Sequence, residues 1–485
     1  MRNIHSFITA KDNGLLSNKV NFFDKKSKND VYRTFSLPAE EVYFDIFYAC
    51  FAAQMKGFVV MQFSYYYLRL HEKGTFESEI NLLRKQNNKF FKEILHEFSN
   101  NIQFHSHYEL WNDTIPASDK LGITYDVISK LLQGFIQNEE SLSDKNSCWK
   151  NCDDFTVTKV KNFKGTKCDK KSCNGKVLNC QFISNTLKIC PSNKNSLRRY
   201  ESINNMGSTS LCPNSQCSAQ YFRHFLVKCD YCFCICDGTD KYSDRYISLL
   251  PVFANVTANK VVTGVRLVKK NRVFFIQIQE GELGTYGAIS NRNWVPVEDV
   301  NVTNRSFKNN IHYITLNSNR RSLNLKPKIL KDNYVVTGIK FEFVHNQIQL
   351  NVRGTFYNAS NGQLMENKQI WSEPAQVGNE LILDKPDVPT KDRLIISNKD
   401  LRKRTDKGNN FVKFTHSDIE KDVAQTTIPY IDTQEVTSTF GLLQGVGLIH
   451  KGNKGFGGFI APLLINTNPN SLLKQFLKDT KNDYE

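Results

Sequence analysis

The stretch Cys229-Asp-Tyr-Cys-Phe-Cys-Ile-Cys-Asp-Gly238 places four cysteines within eight residues, at C-x2-C-x-C-x-C spacing. Three chemistries fit that density: a zinc site, a redox dithiol or a disulfide framework. Zinc wants four tetrahedral ligands, usually from two short Cys or His pairs. Cys229/Cys232 supplies one pair, and Cys148-x3-Cys152, Cys168-x4-Cys173 and Cys212-x4-Cys217 could supply others. Histidine is nearly missing from the region, however, with only His224, and three sites would be needed to use twelve thiols. A redox pair at Cys229-Asp-Tyr-Cys232 lacks the preceding strand and following helix that lower a thiol pKa. The even set Cys148, Cys152, Cys168, Cys173, Cys180, Cys190, Cys212, Cys217, Cys229, Cys232, Cys234 and Cys236 therefore reads best as disulfides. Cys50 stands apart, in an apolar helix where a buried free thiol is ordinary.

Other reactive constellations are sparse. Phe104-His-Ser-His-Tyr-Glu109 sets His105, His107 and Glu109 at alternate positions, which would share one face of a strand and could bind a metal. The segment follows a helical pattern and reads as a polar loop. No G-x-S-x-G elbow, H-E-x-x-H, P-loop or Rossmann fingerprint occurs. Gly452-Asn-Lys-Gly-Phe-Gly-Gly458 is glycine-rich and basic, but a strand rather than a helix follows it, so a hairpin turn is expected. No catalytic residue, metal or cofactor is assigned. Trp294 and Trp371, each near a proline, are candidate floors for a sugar, because aromatic rings stack on the apolar faces of pyranoses. Core packing is the competing reading of both.

Five sequons support an oxidising compartment independently of the cysteines. Asn112, Asn255, Asn301, Asn304 and Asn358 each begin an N-x-[ST] triplet without proline. The N-terminus MRNIHSFITAKDNG has no apolar core of secretory length. An extracellular protein is nonetheless expected, with residue 1 not the true start of the full gene product. The net charge of +16, from 64 Lys+Arg against 48 Asp+Glu, suits acidic glycans or matrix. Its densest run, Leu401 to Lys407, reads as a loop, and no RNA-binding aromatic signature accompanies it.

These residues need elements to hold them. Residues 1–143 read as a helical bundle or hairpin. One helix starts at Ser36-Leu-Pro-Ala-Glu-Glu41 and stops at Gly74, a second follows Thr75, and a third spans Thr124 to about Leu142. The most apolar window, Val42 to Phe63, is interrupted by Asp45, Gln54 and Lys56, so no membrane span is expected. Tyr65, Tyr66 and Tyr67 encircle their helix, so some must face a partner helix or the surface. Residues 144–238 read as a loop-rich, disulfide-stapled module. Residues 239–465 turn to strands: KVVTGVRLVKKNRVFFIQIQEG recurs 74 residues later as YVVTGIKFEFVHNQIQLNVRG, with a weaker echo in GVGLIHKGNKGFGGFIAPLL. The tail 466–485 is polar. The expected class is α+β and multidomain, with the all-β repeat region a β-prism or a related β-sandwich.

Long motifs in the chain resemble a known family. Ser243-Asp-Arg-Tyr-Ile-Ser-Leu249, NKVVTGVRLVKKNRVFFIQIQEGEL, Trp294-Val-Pro-Val297, VVTGIKFEF, IPYIDTQEV and the glycine-rich echo are similar, in order, to insect proteins catalogued as domain of unknown function 4803. The cysteine cluster and the helical QMKGFVVMQFSYYYLR match the same pattern, so the resemblance covers roughly residues 40–465. It implies a secreted insect protein and carries over no catalytic residue. The leading expectation is a non-catalytic extracellular binding or structural protein, with glycans, matrix or cell-surface proteins as partners and no nucleic acid. A membrane-active protein with a helical insertion region and a β receptor-binding part is the alternative, and a hydrolase comes third.

Overall fold

The computed structural model describes residues 39–102, 109–110, 120–159, 172–207, 212, 216–220, 222–223, 226–238, 243–390, 411–438, 441–453 and 455–467. Helical spacing of apolar residues builds the first element pair. Helices α1 (Ala39–Leu70) and α2 (Glu77–Ile102) form a hairpin. Phe51 meets Phe91 with ring centroids 4.8 Å apart, and Gln54 Nε2 donates to Asn87 Oδ1 at 3.3 Å. Ile80, Phe90, Ile94 and Leu95 of α2 are buried.

The expected third helix is absent. Residues 124–142 form instead a short strand at Tyr125–Asp126, strand β1 (Gln133–Asn138) and a single helical turn at Glu139–Leu142. All six residues of β1 are buried. Phe135 enters the cysteine cluster while Ile136 enters the main core. Gln-Gly-Phe-Ile-Gln-Asn is covered on both faces, so it shows no alternation of apolar and polar residues to mark a strand, and Phe135 and Ile136 extend a helical spacing begun at Ile128 instead.

The cysteine-rich segment is likewise more regular than its composition implies. Strands β2 (Lys176–Ser184), β3 (Thr186–Pro191), β4 (Tyr200–Ile203) and β5 (Tyr231–Asp237) organise two antiparallel four-stranded sheets. β5 is central in the first, pairing β1 from Tyr231↔Asn138 to Cys236↔Gln133 and β2 on its other side. β4 has only four residues, and β5 is buried on both faces, so neither displays the alternation of apolar and polar residues that announces a strand.

Three hairpins form the rest. β6 (Lys260–Lys270) pairs β7 (Val273–Leu283), with β8 (Ile289–Trp294) on β7. β9 (Tyr334–Val344) pairs β10 (Gln347–Asn358), with β11 (Gln363–Trp371) on β10. β12 (Leu443–Lys451) pairs β13 (Phe459–Asn466), with Glu109–Leu110 on β13. Each first strand has one register shift at the same place, between Val262 and Gly264, Val336 and Gly338, and Leu443 and Gly445. The residue bulged out is Thr263, Thr337 or Gln444, and each is buried.

The sheets are interlocked by a second, shorter repeat. Tyr246–Ser248, Ser322–Asn324 and Tyr430–Asp432 run parallel to β7, β10 and β13 respectively. Four residues after each, the chain reaches the next sheet and pairs its first hairpin strand. Val252–Phe253 joins β9, Lys328–Ile329 joins β12, and Val436–Thr437 joins β6. Three sheets closed in this cycle bury Val265, Ile339 and Val446, with Ile278, Val352 and Leu464 opposite them, in one core. Of the two expected forms this is the β-prism, and the weak third echo is a full structural copy. Leu187, Tyr200, Phe233 and Ile235 of the cysteine-rich sheets enter the same core.

Candidate functional site

β5 answers the question posed by the cysteine cluster. Alternation sends Cys232, Cys234 and Cys236 to one face of the strand and Phe233 and Ile235 to the other. The sulfurs bond outward as Cys152–Cys232, Cys180–Cys234 and Cys173–Cys236, and with Cys148–Cys229 and Cys190–Cys212 there are five pairs with both partners among the described residues. Cys217 is disulfide-bonded as well, and Cys168 lies outside the described residues. Cys50 is free and half-buried, with its thiol pushed up by burial. Among the described residues, no group of three His, Cys, Asp or Glu is disposed to hold a metal.

The staples are mutually redundant, which sets an expected magnitude. Cys180 and Cys234 close a sequence separation of 54. The chain-entropy relation assigns such a loop about 4 kcal/mol. With Cys173–Cys236 intact, however, the same two positions are joined through a path of roughly ten residues, worth about 2.5 kcal/mol. Replacing both by alanine is expected to lower the unfolding free energy by the smaller figure, read from guanidinium transitions at pH 7.

Trp294 and Trp371, far apart in sequence, occupy equivalent places in two sheets. Trp294 lies opposite Gln279, which is opposite Gly264; Trp371 lies opposite Arg353, which is opposite Gly338. Two residues after each glycine, alternation turns a cation outward between two buried apolar neighbours. Arg266 sits between Val265 and Leu267, and Lys340 between Ile339 and Phe341. The Arg266 guanidinium lies 4.3 Å from the Trp294 ring centroid, and Lys340 Nζ lies 4.7 Å from that of Trp371. The third sheet lacks this cation: Gly447 is at the matching position, where a Cβ would come within 2.7 Å of Pro327 Cβ.

The two places differ in how their cations are held. Arg266 donates from Nε to Gln277 Oε1 at 2.8 Å and approaches Glu435 at 3.8 Å. Lys340 has Glu342 at 3.9 Å, and that carboxylate accepts from Asn351 at 2.7 Å and Gln349 at 3.2 Å. Beside Lys340, Trp371 meets Phe253 edge-on at 6.0 Å, both rings are exposed, and the Arg353 guanidinium lies 4.0 Å from the Phe253 centroid. Burial depresses the Arg353 pKa. Phe253, Trp371, Lys340 and Arg353 thus form one surface of two aromatic rings and two cations. Such a surface can hold an apolar sugar face against a ring and an anionic substituent against a cation.

The sequons in the described residues adopt local turns. Asn255 Oδ1 accepts from Thr257 Oγ1 at 2.6 Å, and Asn301 Oδ1 from Thr303 Oγ1 at 2.7 Å. Asn304 and Asn358 accept the backbone N–H of Ser306 and Ser360. Asn255, Asn301 and Asn304 are exposed and Asn358 is half-buried. Asn112, His105, His107 and the basic run 401–407 lie outside the described residues. The glycine-rich segment 452–458 follows β12 and leads into β13, as the hairpin reading requires.

Sequence reading missed the buried ionic groups. Arg245 and Asp237 pair at 2.6 Å, Lys269 bridges Asp126 and Asp244 at 2.8 Å each, and Lys451 pairs with Asp432. The Lys269–Asp126 contact spans 143 residues, so no local spacing announces it.

Fold and site together define a disulfide-stapled β-prism protein preceded by a helical hairpin. The family model described as Domain of unknown function (DUF4803) matches residues 34–278, just over half of the chain, and the chain belongs to this family. The match ends at Ile278, within β7, so the similarity read from residues 335–464 lies beyond it. No curated protein matches the chain. Among the described residues, no helix is long and apolar enough to cross a membrane.

Proposed function

We propose that this protein is a secreted, non-catalytic binding protein that takes acidic glycans on the Phe253–Trp371 face of its prism. The observation that carries this reading is the recurrence of a cation over a tryptophan at equivalent positions of two sheets, open to solvent at Trp371. A pyranose laid along Trp371 would bring a sulfate or carboxylate between Lys340 and Arg353. The net charge of +16 would steer such ligands toward the surface. Five disulfides and four sequons in surface turns support an extracellular setting, with Asn255, Asn301, Asn304 and Asn358 as glycan acceptors.

The test is affinity for a sulfated oligosaccharide, measured calorimetrically at two salt concentrations. Trp371→Ala is expected to weaken binding about tenfold, and Lys340→Ala with Arg353→Ala by at least as much. The double replacement should also flatten the salt dependence. Trp294→Ala is expected to cost less, because Gln277 and Glu435 engage its cation. Binding left unchanged by both Trp371→Ala and the double cation variant, in folded protein, would remove the proposal.

A further inference from the structure

The four described sequons share a motif but not a setting. Asn255 stands two residues after Phe253, on the crossing segment that pairs β9. Ala254, between them, is buried in the main core, and its N–H donates to the Thr337 carbonyl, so the extended pairing continues past Phe253. Alternation therefore turns Phe253 and Asn255 outward on one face, both exposed and about 6.5 Å apart along the strand. Phe253 also heads a row across its sheet: it faces Gly338, Gly338 faces Arg353, and Arg353 faces Trp371. A Cβ on Gly338 would stand 2.5 Å from Phe253 Cδ1, so a side chain there would push the ring off the sheet. The Arg353 guanidinium lies against the ring, yet Phe253 stays 40 % exposed. Beside it is an amide nitrogen with no task in the fold. Asn255 Oδ1 accepts from Thr257 Oγ1 at 2.6 Å and from the Ala258 N–H at 3.2 Å, while Nδ2 makes no hydrogen bond among the described residues.

We propose that Asn255 carries an N-glycan whose first sugar packs on the Phe253 ring and becomes part of the folded protein. The reading rests on the secreted setting proposed above, but not on the acidic-glycan ligand. In the secretory route, Asn255 Nδ2 forms a bond to C1 of the first N-acetylglucosamine of an oligosaccharide carried on a lipid diphosphate. The C1–O bond to the diphosphate breaks, the lipid diphosphate leaves, and Nδ2 gives up one proton. The pyranose can then lay its apolar C–H face on a ring two residues upstream, on the same side of the strand. No hydrogen bond of the described fold is lost in the exchange.

The other sequons lack part of this arrangement. Asp299 stands two residues before Asn301, and Val302 two before Asn304, so neither has an upstream ring. Phe356 stands two before Asn358, but Asn358 is half-buried and lies opposite Gln363 in the β10–β11 ladder. The Phe356 ring, moreover, already meets Tyr334 edge-on at 5.6 Å and the Lys368 ammonium at 4.9 Å. With a resident sugar on Phe253, Trp371 and Lys340 become the half of the face left open to a free ligand.

Glycopeptide mass spectrometry and thermal melting of the full chain, secreted behind an added signal, test this. Asn255 is expected to be occupied. Melting is then compared for the unaltered protein, Phe253→Ala, Asn255→Gln and the double variant. Phe253→Ala should cost about 2–4 °C more where the sugar is present than in the Asn255→Gln background, the size of one aromatic contact. Equal costs in the two backgrounds would mean that the ring packs on Arg353 and Trp371 alone, and overturn the proposal. Sugar at Asn301 or Asn304 with none at Asn255 also overturns it and leaves the secreted reading standing. No sugar at any sequon counts against both, whereas acidic-glycan binding untouched by Trp371→Ala and by the double cation variant counts only against the ligand proposed above. If Asn255→Gln fails to fold, proton NMR of the unaltered glycoprotein decides. The C–H protons of the first sugar should be shifted upfield by the ring and return to ordinary positions in Phe253→Leu; unshifted protons overturn the proposal.

Discussion

Arg245→Met is expected to lower the unfolding free energy by about 3–5 kcal/mol, the range found when one partner of a buried ion pair is removed. Arg245 is 1 % exposed. Nη1 donates to Asp237 Oδ1 at 2.6 Å and to the Leu316 carbonyl at 3.2 Å. Nη2 reaches the carbonyls of Lys130, Leu131 and Gly238, and Nε donates to Ser243 Oγ at 2.6 Å. The side chain thus binds the end of β5, the loop before β1 and the first prism sheet at once. Without it, Asp237 keeps the Ser318 N–H at 2.8 Å but loses its cation, and a buried carboxylate is costly in that state. Arg245→Lys should recover little, because one ammonium cannot serve acceptors spread around a planar fork. Arg245→Met with Asp237→Asn should recover part of the loss, since it removes the unpaired charge. Guanidinium unfolding at pH 7 of the three variants checks this; a loss below about 1 kcal/mol for Arg245→Met would mean the pair is not the bolt described.

Stability is expected to fall by about 3 kcal/mol between pH 6.5 and pH 4 through His450 alone. Burial pushes this imidazole down to about 4 from the ordinary 6.5, and the hydrogen bond between Nε2 and the Gly457 carbonyl at 2.8 Å opposes the shift only in part. The unfolded chain therefore takes up a proton near pH 6.5 while the folded chain stays neutral. Each step down in pH then favours unfolding, until the folded form titrates near 4. The site is tightly built: Gly458 has φ +68°, and a Cβ there would stand 2.3 Å from His450 Nε2. His416, also lowered by burial, acts in the same direction, whereas Glu280 has a lowered pKa and acts mainly below its ordinary value of 4.5. The difference between unaltered protein and His450→Gln therefore isolates the effect. Denaturation midpoints at pH 7.5 and 4.5 should converge for the variant and diverge for the parent. Parallel pH profiles for the two would assign the acid sensitivity elsewhere.

The Phe253–Trp371 surface illustrates how much of a site local sequence can announce. Trp371 stands out as an aromatic in strand-rich sequence, and Lys340 as the polar position between Ile339 and Phe341. Phe253 belongs to the preceding repeat and reaches β9 only because the chain crosses to the next sheet after Tyr246–Ser248. Nothing within ten residues of Trp371 points to it. The third repeat shows the same limit. Leu-Leu-Gln-Gly-Val at 442–446 keeps the bulge and the inward apolar residue of Val-Val-Thr-Gly-Val, but has changed the bulged side chain and, at Gly447, the outward cation. Topology retains what residue identity has lost.

From the sequence alone came the disulfide framework, since twelve clustered cysteines with scarce histidine leave few other uses for the sulfurs, and the α1–α2 hairpin and first two β-hairpins, whose partners are near neighbours in the chain. Only the tertiary structure decided that residues 133–138 are a strand, that Glu109–Leu110 and Tyr125–Asp126 complete the third sheet, and that Arg245 is a core residue. The reason is physical. A hairpin or helix pairs residues a few positions apart, so its period is written locally. Strands buried on both faces, sheet edges closed by another repeat and ion pairs more than a hundred residues apart take their stability from surfaces that exist only once the chain has folded.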